Sequence, residues 1–183
     1  MNSSANFTKR RPKAVIRGTA IFVALSLALG CGLSAQSAER TVAVFDFELV
    51  DTSLQGATFG PSGEDRERLA WVGEELRRRL MQTGRFEVVD VAPFAAKAHA
   101  VNLQRCGGCD AHLARELGAK LAITGWVQKV SNLILNMNIA VRDADTGKLL
   151  VGTSVDMRGN TWESWSRALD YLVVNRLLGP GGL

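Results

Sequence analysis

The chain is poor in the residues that most enzymatic chemistry draws on. Its 183 residues include two histidines, His99 and His112, and three cysteines. No HExxH pair, phosphate-cradling glycine loop or GxSxG elbow occurs anywhere along it. Without a serine, histidine and acid at a recognisable spacing, hydrolase chemistry has little support; no catalytic residue and no cofactor is expected. Tyrosine occurs once against four tryptophans, and these read as core and edge residues rather than as a ligand cage. The apolar run from Ala20 to Leu29 is too short to cross a bilayer.

That run reads instead as part of an export signal. Lys9, Arg10, Arg11, Lys13 and Arg17 precede it as a cationic region, and Ala35-Gln36-Ser37-Ala38 follows as a small-residue cleavage site. The expected division is therefore a signal peptide over residues 1–38 and one domain over residues 39–183, exported to the periplasm with no integral membrane span. Two alternatives use the same segment. Cys31 after Gly30 allows a lipid-anchored structural protein, although Ala28 stands where a large aliphatic residue is usual, and Arg10-Arg11 suggests twin-arginine export. Of the 22 basic residues, five lie before Glu39 with none of the 18 acidic ones, leaving 17 against 18, a balance of −1. The basic character of the whole chain belongs to the signal, and no nucleic-acid partner is implied.

Cys106 and Cys109, in Cys106-Gly107-Gly108-Cys109, admit four readings. Haem attachment needs histidine where Asp110 stands. Zinc on Cys106, Cys109 and His112 would need His99 or an acid as fourth ligand, and no metal is expected. A redox dithiol is favoured by the start of a helix, where the positive end of the dipole lowers a thiol pKa. A disulfide pinning the loop is the plainest reading in an oxidising compartment.

The clearest periodicity lies between Leu117 and Asn160. Leu133, Leu135, Met137, Ile139 and Val141 share one face, with Asn136, Asn138 and Arg142 on the other, as in a half-buried strand. After the turn Asp143-Ala144-Asp145-Thr146-Gly147, a second strand alternates from Leu149 to Met157, and Ala122 to Ser131 reads as a third, giving an antiparallel meander. The turn lacks the third acid and the terminal glutamate of a calcium loop.

Upstream, Thr41 to Glu48 reads as a central strand covered on both faces, Leu49 to Gly63 as a long exposed loop, and Glu64 to Thr83 as a helix. Ser62 and Asp65 form a capping-box pattern for that helix, and Leu69, Val72, Gly73, Leu76 and Leu80 an apolar stripe. Glu74 with Arg78 and Glu75 with Arg79 stand at i,i+4, so Arg77-Arg78-Arg79 reads as a solvated face. Arg85 to Val91 is a second strand, which makes a βαβ crossover and a parallel pair. Pro93 to Leu103 allows one or two helical turns. Asp110 to Leu117 reads as a short helix capped by Asp110.

The last helix spans Thr161 to Leu178, with Asn160 as cap and Trp162, Trp165, Leu169, Leu172 and Val173 as its stripe. Val174, Leu177 and Leu178 widen that stripe. They are expected to leave a patch that a periplasmic protein partner or a second copy covers. The fold expected is a single α/β (α+β) domain, a mixed five-stranded sheet with helices packed on it.

The strand VAVFDF, the helix ending near RFEVVD and the stretch LARELGAKLAITGWVQKVSNLILNMNIAVRDADTGKLL resemble the amino-terminal domain of TolB. The resemblance covers about Thr41 to Leu178 and implies the order strand, helix, strand, helix, three strands, helix. DFELVDTSLQG together with RGNTWESWSRALDYLVVNRLL is similar to a family of uncharacterised proteobacterial periplasmic proteins, some occurring with quinoprotein alcohol-oxidation systems. This implies a binding or adaptor protein accessory to an envelope or quinoprotein oxidation system. It carries no catalytic residues over, and an enzyme reading survives only as a thiol-disulfide oxidoreductase using Cys106 and Cys109.

Overall fold

The computed structural model describes residues 40–183; the expected signal peptide, with Cys31 and Arg10-Arg11, lies outside them. The strands are β1 (Arg40–Val44), β2 (Glu48–Asp51), β3 (Phe86–Val89), β4 (Leu121–Lys129), β5 (Leu135–Asp143) and β6 (Leu149–Met157). The helices are α1 (Leu54–Phe59), α2 (Gly63–Gln82), α3 (Ala95–His99), α4 (Cys109–Glu116) and α5 (Trp162–Leu172), the last running into a π-turn over Val173–Leu177. Together they form a single α+β domain around a mixed six-stranded sheet of order β3-β1-β4-β5-β6, with β2 paired to β4 off that path. The five strands expected are all present, and the sixth comes from the segment read as a loop.

Burial follows strand period. Val42, Val44, Ile123, Met137 and Ile139 point into the layer that holds α2 and α5, while Ala43, Phe45 and Ala122 pack beneath α3 and α4 on the opposite face. The strands β1 and β4 are thus covered twice, as apolar residues on both phases, Val42-Ala43-Val44 and Leu121-Ala122-Ile123, require. β5 is buried at every second residue from Leu135 to Val141, which is why the meander was legible from alternation alone.

β1 and β2 are one strand interrupted. From Val44, opposite Ile123, to Glu48, opposite Trp126, the chain takes four steps where β4 takes three. The extra residue makes a bulge at Phe45-Asp46-Phe47. It turns Asp46 outwards and lays the Phe47 ring on Gly125, where an added Cβ would sit 2.2 Å from Phe47 Cζ. Arg77 closes the gap, donating through Nε (3.1 Å) and Nη2 (2.8 Å) to the Val44 carbonyl and bonding Asp46 Oδ1 at 2.6 Å.

Several expectations need correction. Leu49 to Gly63 is not a loop: β2 continues the ladder of β1, and α1 starts at Ser53, whose hydroxyl accepts from Gly56 N at 3.0 Å. Four residues are too few to show a period, so that strand is made by its neighbour. Arg77 is not solvated, because the bulge carbonyl draws it in, and Glu74 pairs with Arg77 rather than Arg78. Thr161, not Asn160, caps α5, accepting from Ser164 N at 3.3 Å. Asp110 lies in the first turn of α4, buried, and caps nothing. The capping box of Ser62 and Asp65 is present as expected.

Candidate interaction site

The patch expected at the chain's last helix divides. In the π-turn the Leu178 N–H bonds the Val173 carbonyl at 2.9 Å, and this wider turn brings Val173 and Leu177 to the same, inward side. Leu177 is completely buried and Leu178 is half-buried against the core, so of the three only Val174 faces solvent, at 62% exposure. The sequence stripe was read at a constant 3.6 residues per turn, which the π-turn breaks.

Among the described residues, three large apolar side chains are more exposed than Val174, and they lie at another place, with Ile134 beside them. Leu54 (86%) and Phe59 (81%) stand on α1, and Leu133 (73%) and Ile134 (56%) on the loop between β4 and β5. The two segments are neighbours, because β2 and β4 run parallel and end together. Thr52 N bonds the Lys129 carbonyl at 2.9 Å, and Asn132 donates to Gln55 Oε1 at 3.0 Å. No residue of α1 is buried. The helix is held by its cap and by Gly56, whose backbone sits so close to the Asp51 carboxylate that a Cβ would come within 2.2 Å of Cγ. Two elements therefore present large apolar side chains to water, side by side, at one end of the sheet.

Beneath this apex lies a buried ionic network. Lys129 places Nζ 2.8 Å from Asp65 Oδ2 and 3.6 Å from Asp51 Oδ2, all three residues' side chains being almost wholly inaccessible. Asn160 donates to Asp65 Oδ1 at 2.7 Å and accepts from Trp165 Nε1 at 2.9 Å and Arg68 Nη1 at 3.3 Å. Arg68 Nη2 reaches Glu64 at 2.6 Å, and its guanidinium lies 5.5 Å from the Trp162 ring centroid, which packs edge-on to Trp71. Burial pushes the Asp65 carboxyl up, but the bonds from Lys129, Asn160 and Ser62 outweigh it and bring the pKa down to about 2. The network ties α2, β4 and the approach to α5 together directly under α1, giving the apex a rigid base.

Sequence reasoning missed these residues although two signals were present. Lys129 occupies the inward phase of β4, continuing Leu121, Ile123 and Val127. Asp65 and Arg68 belong to the buried stripe of α2 with Val72, Leu76 and Leu80. Charges in apolar phase on two elements predict that they meet.

An open groove runs beside the apex, walled by Gln55, Asn132, Leu133, Asn160, Glu64 and Glu67. Its one cationic lining residue, Lys129, is spent on Asp65. Glu64 is likewise bound to Arg68, so the rim's charge that has no ion-pair partner among the described residues is that of Glu67.

Cys106 and Cys109 are joined as a disulfide across a separation of three residues, at the entry to α4. His112, considered with them, is engaged by Glu116 (2.8 Å) and Arg115 (3.0 Å), and His99 by Asp46 (3.2 Å). Among the described residues no helix is long and apolar enough to cross a membrane.

Residues 40–177 match the family model DUF3280, described as "Protein of unknown function (DUF2380)", and the chain belongs to that family. No curated protein matches it. Among solved structures it is similar to the LpoB C-terminal domain from Salmonella enterica, at 17% identity and a TM-score of 0.46, covering 68% of this chain and 87% of that one. The LpoB C-terminal domain from Escherichia coli is similar at 16% identity and a TM-score of 0.46, covering 69% and 87%. Lipoprotein GNA1162 from Neisseria meningitidis is similar at 16% identity and a TM-score of 0.46, covering 74% and 94%.

Proposed function

We propose that this protein is an exported adaptor of the bacterial envelope, which acts by holding a protein partner on the apex formed by α1 and the β4–β5 loop. The observation that carries the reading is that two adjoining segments expose four apolar side chains, Leu54 and Phe59 on α1 and Leu133 and Ile134 on the β4–β5 loop, over a base fixed by buried charge. Covering one such side chain is worth about 1.5–3 kcal/mol, enough for a few of them to anchor a complex.

The charge at the rim selects the occupant. Glu67 disfavours an anionic lipid surface, and a two-fold contact centred beside it would bring like charges together. A partner segment with an apolar side chain flanked by lysine or arginine satisfies both the apex and the rim. Export rests on the cationic and apolar pattern before Glu39, with the lipid-anchored form through Cys31 as the alternative. The TolB-like and quinoprotein resemblances are those of sequence, and they make a periplasmic quinoprotein alcohol-oxidation system the first place to seek the partner.

Photo-crosslinking residues placed at Phe59 and Leu133, with Glu87 on β3 as control, test this in the envelope of the source cell. Both apical positions should link to one and the same protein, the control should not, and Glu67→Lys should reduce the product. Links to lipid or to a second copy, or equal yields at Glu87, would overturn the reading.

A further inference from the structure

The cysteine pair supports a separate activity, independent of the apex. Its disulfide closes a very short loop, so its constraint on the unfolded chain is small. The segment is also anchored on both sides without it. Glu48 accepts from Leu103 N at 2.8 Å and Gln104 N at 3.5 Å before the pair. After it, the buried Asp110 accepts from Thr124 Oγ1 at 3.0 Å and lies 3.4 Å from Arg142 Nε. As a staple, the bridge is redundant.

Its surroundings suit chemistry better. Cys109 opens α4, and its backbone N–H points at Cys106 Sγ at 3.2 Å, which would stabilise negative charge on that sulfur once reduced. Arg105 precedes Cys106 in the chain and is exposed. Gly107 and Gly108 hold φ of 71° and 122°, and nothing lies within 4 Å of where their Cβ atoms would be, so the turn leaves room for another backbone to approach. In the residue next to Cys109, Asp110 Oδ1 is buried without a hydrogen-bond partner, a free acceptor in the first turn of the helix.

We propose that Cys106 and Cys109 form a thiol–disulfide exchange site that oxidises a cysteine pair on a partner protein. A partner thiolate attacks Cys106 Sγ; the bond to Cys109 breaks, its electron pair stays on Cys109 Sγ, which takes a proton, and a mixed disulfide joins Cys106 to the partner. The partner's second thiolate then attacks its own sulfur in that bond and releases Cys106 as the thiolate that the Cys109 N–H stabilises. Two electrons pass from the partner's dithiol, which becomes a disulfide, to the cysteine pair. Stabilising the reduced form in this way makes the disulfide the stronger oxidant.

The test uses the full mature chain, glutathione buffers of graded ratio, and a synthetic peptide with two cysteines. The pair should be reduced by glutathione alone, and the oxidised protein should convert the dithiol peptide to its disulfide one for one. In Cys109→Ser, Cys106 should alkylate at pH 6 about tenfold faster than free cysteine and, given the peptide in its disulfide form, open that bond to a mixed disulfide with release of the peptide's other thiolate; in Cys106→Ser, Cys109 should do neither. Circular dichroism of the wild-type chain in both redox states should be unchanged. A pair that yields only to excess dithiothreitol, a chain that unfolds on reduction, or a Cys106 no faster than free cysteine would each overturn the proposal and leave a structural bridge.

Discussion

Replacing Lys129 by methionine is the sharpest test of the apical base. The change keeps length and volume but removes the cation 2.8 Å from Asp65, leaving a carboxylate with no solvent access beside Asp51, whose Oδ2 already lacks a hydrogen-bond partner. Removing one member of a buried pair costs about 3–5 kcal/mol, which for a domain of this size lowers Tm by on the order of 10 °C. The pH dependence fixes the cause. In the wild type the Asp65 pKa falls from 3.8 to about 2, so its contribution, about 2 kcal/mol, is present above pH 4 and is lost as pH falls through 2. Without Lys129 the strongest of the interactions that lower it is gone, the bonds from Asn160 and Ser62 remaining, and the folded-state pKa moves up. The deficit seen in urea titrations at pH 7 should therefore narrow by about 2 kcal/mol at pH 2.5. Asp65→Asn added to Lys129→Met should recover part of the loss, because the uncompensated charge is gone. A single variant losing under about 1 kcal/mol at pH 7, or an equal deficit at both pH values, refutes the network as a base.

Two further changes read the packing. Gly125→Ala drives a methyl into the Phe47 ring and should cost about 1–3 kcal/mol by thermal unfolding, with Phe47→Leu in the same chain relieving part of it. Leu177→Ala should cost about 2–5 kcal/mol, whereas Val174→Ala stays within about 0.5 kcal/mol, as one side chain is core and the other faces water; equal effects would restore the sequence-derived patch.

What the sequence shows and what it hides divides along local and tertiary causes. The meander, the βαβ unit and the stripes of α2 and α5 follow from periodicity that each element carries in itself. β2 and α1 do not, since one borrows its pairing from β4 and the other buries nothing. Leu133 looked like the first inward residue of β5, yet the strand starts at Leu135, and Leu133 is left at the apex. The apex was invisible for that reason: its apolar residues mimic the strand and loop on either side. The buried charges are legible in phase, but their pairing is not, because partners 64 residues apart, such as Lys129 and Asp65, meet only in the folded chain.

Leu54, Phe59, Leu133 and Ile134, if they face a partner, are not needed by the fold. Phe59→Ser with Leu133→Ser in one chain, expressed in the source cell and followed by size-exclusion chromatography of the envelope fraction, tests it directly. The circular-dichroism spectrum should be unchanged, the Tm should stay within a few degrees of the wild type because exposed positions contribute little, and the protein should be lost from its high-mass complex. A double variant that stays in the complex, or that unfolds, contradicts it.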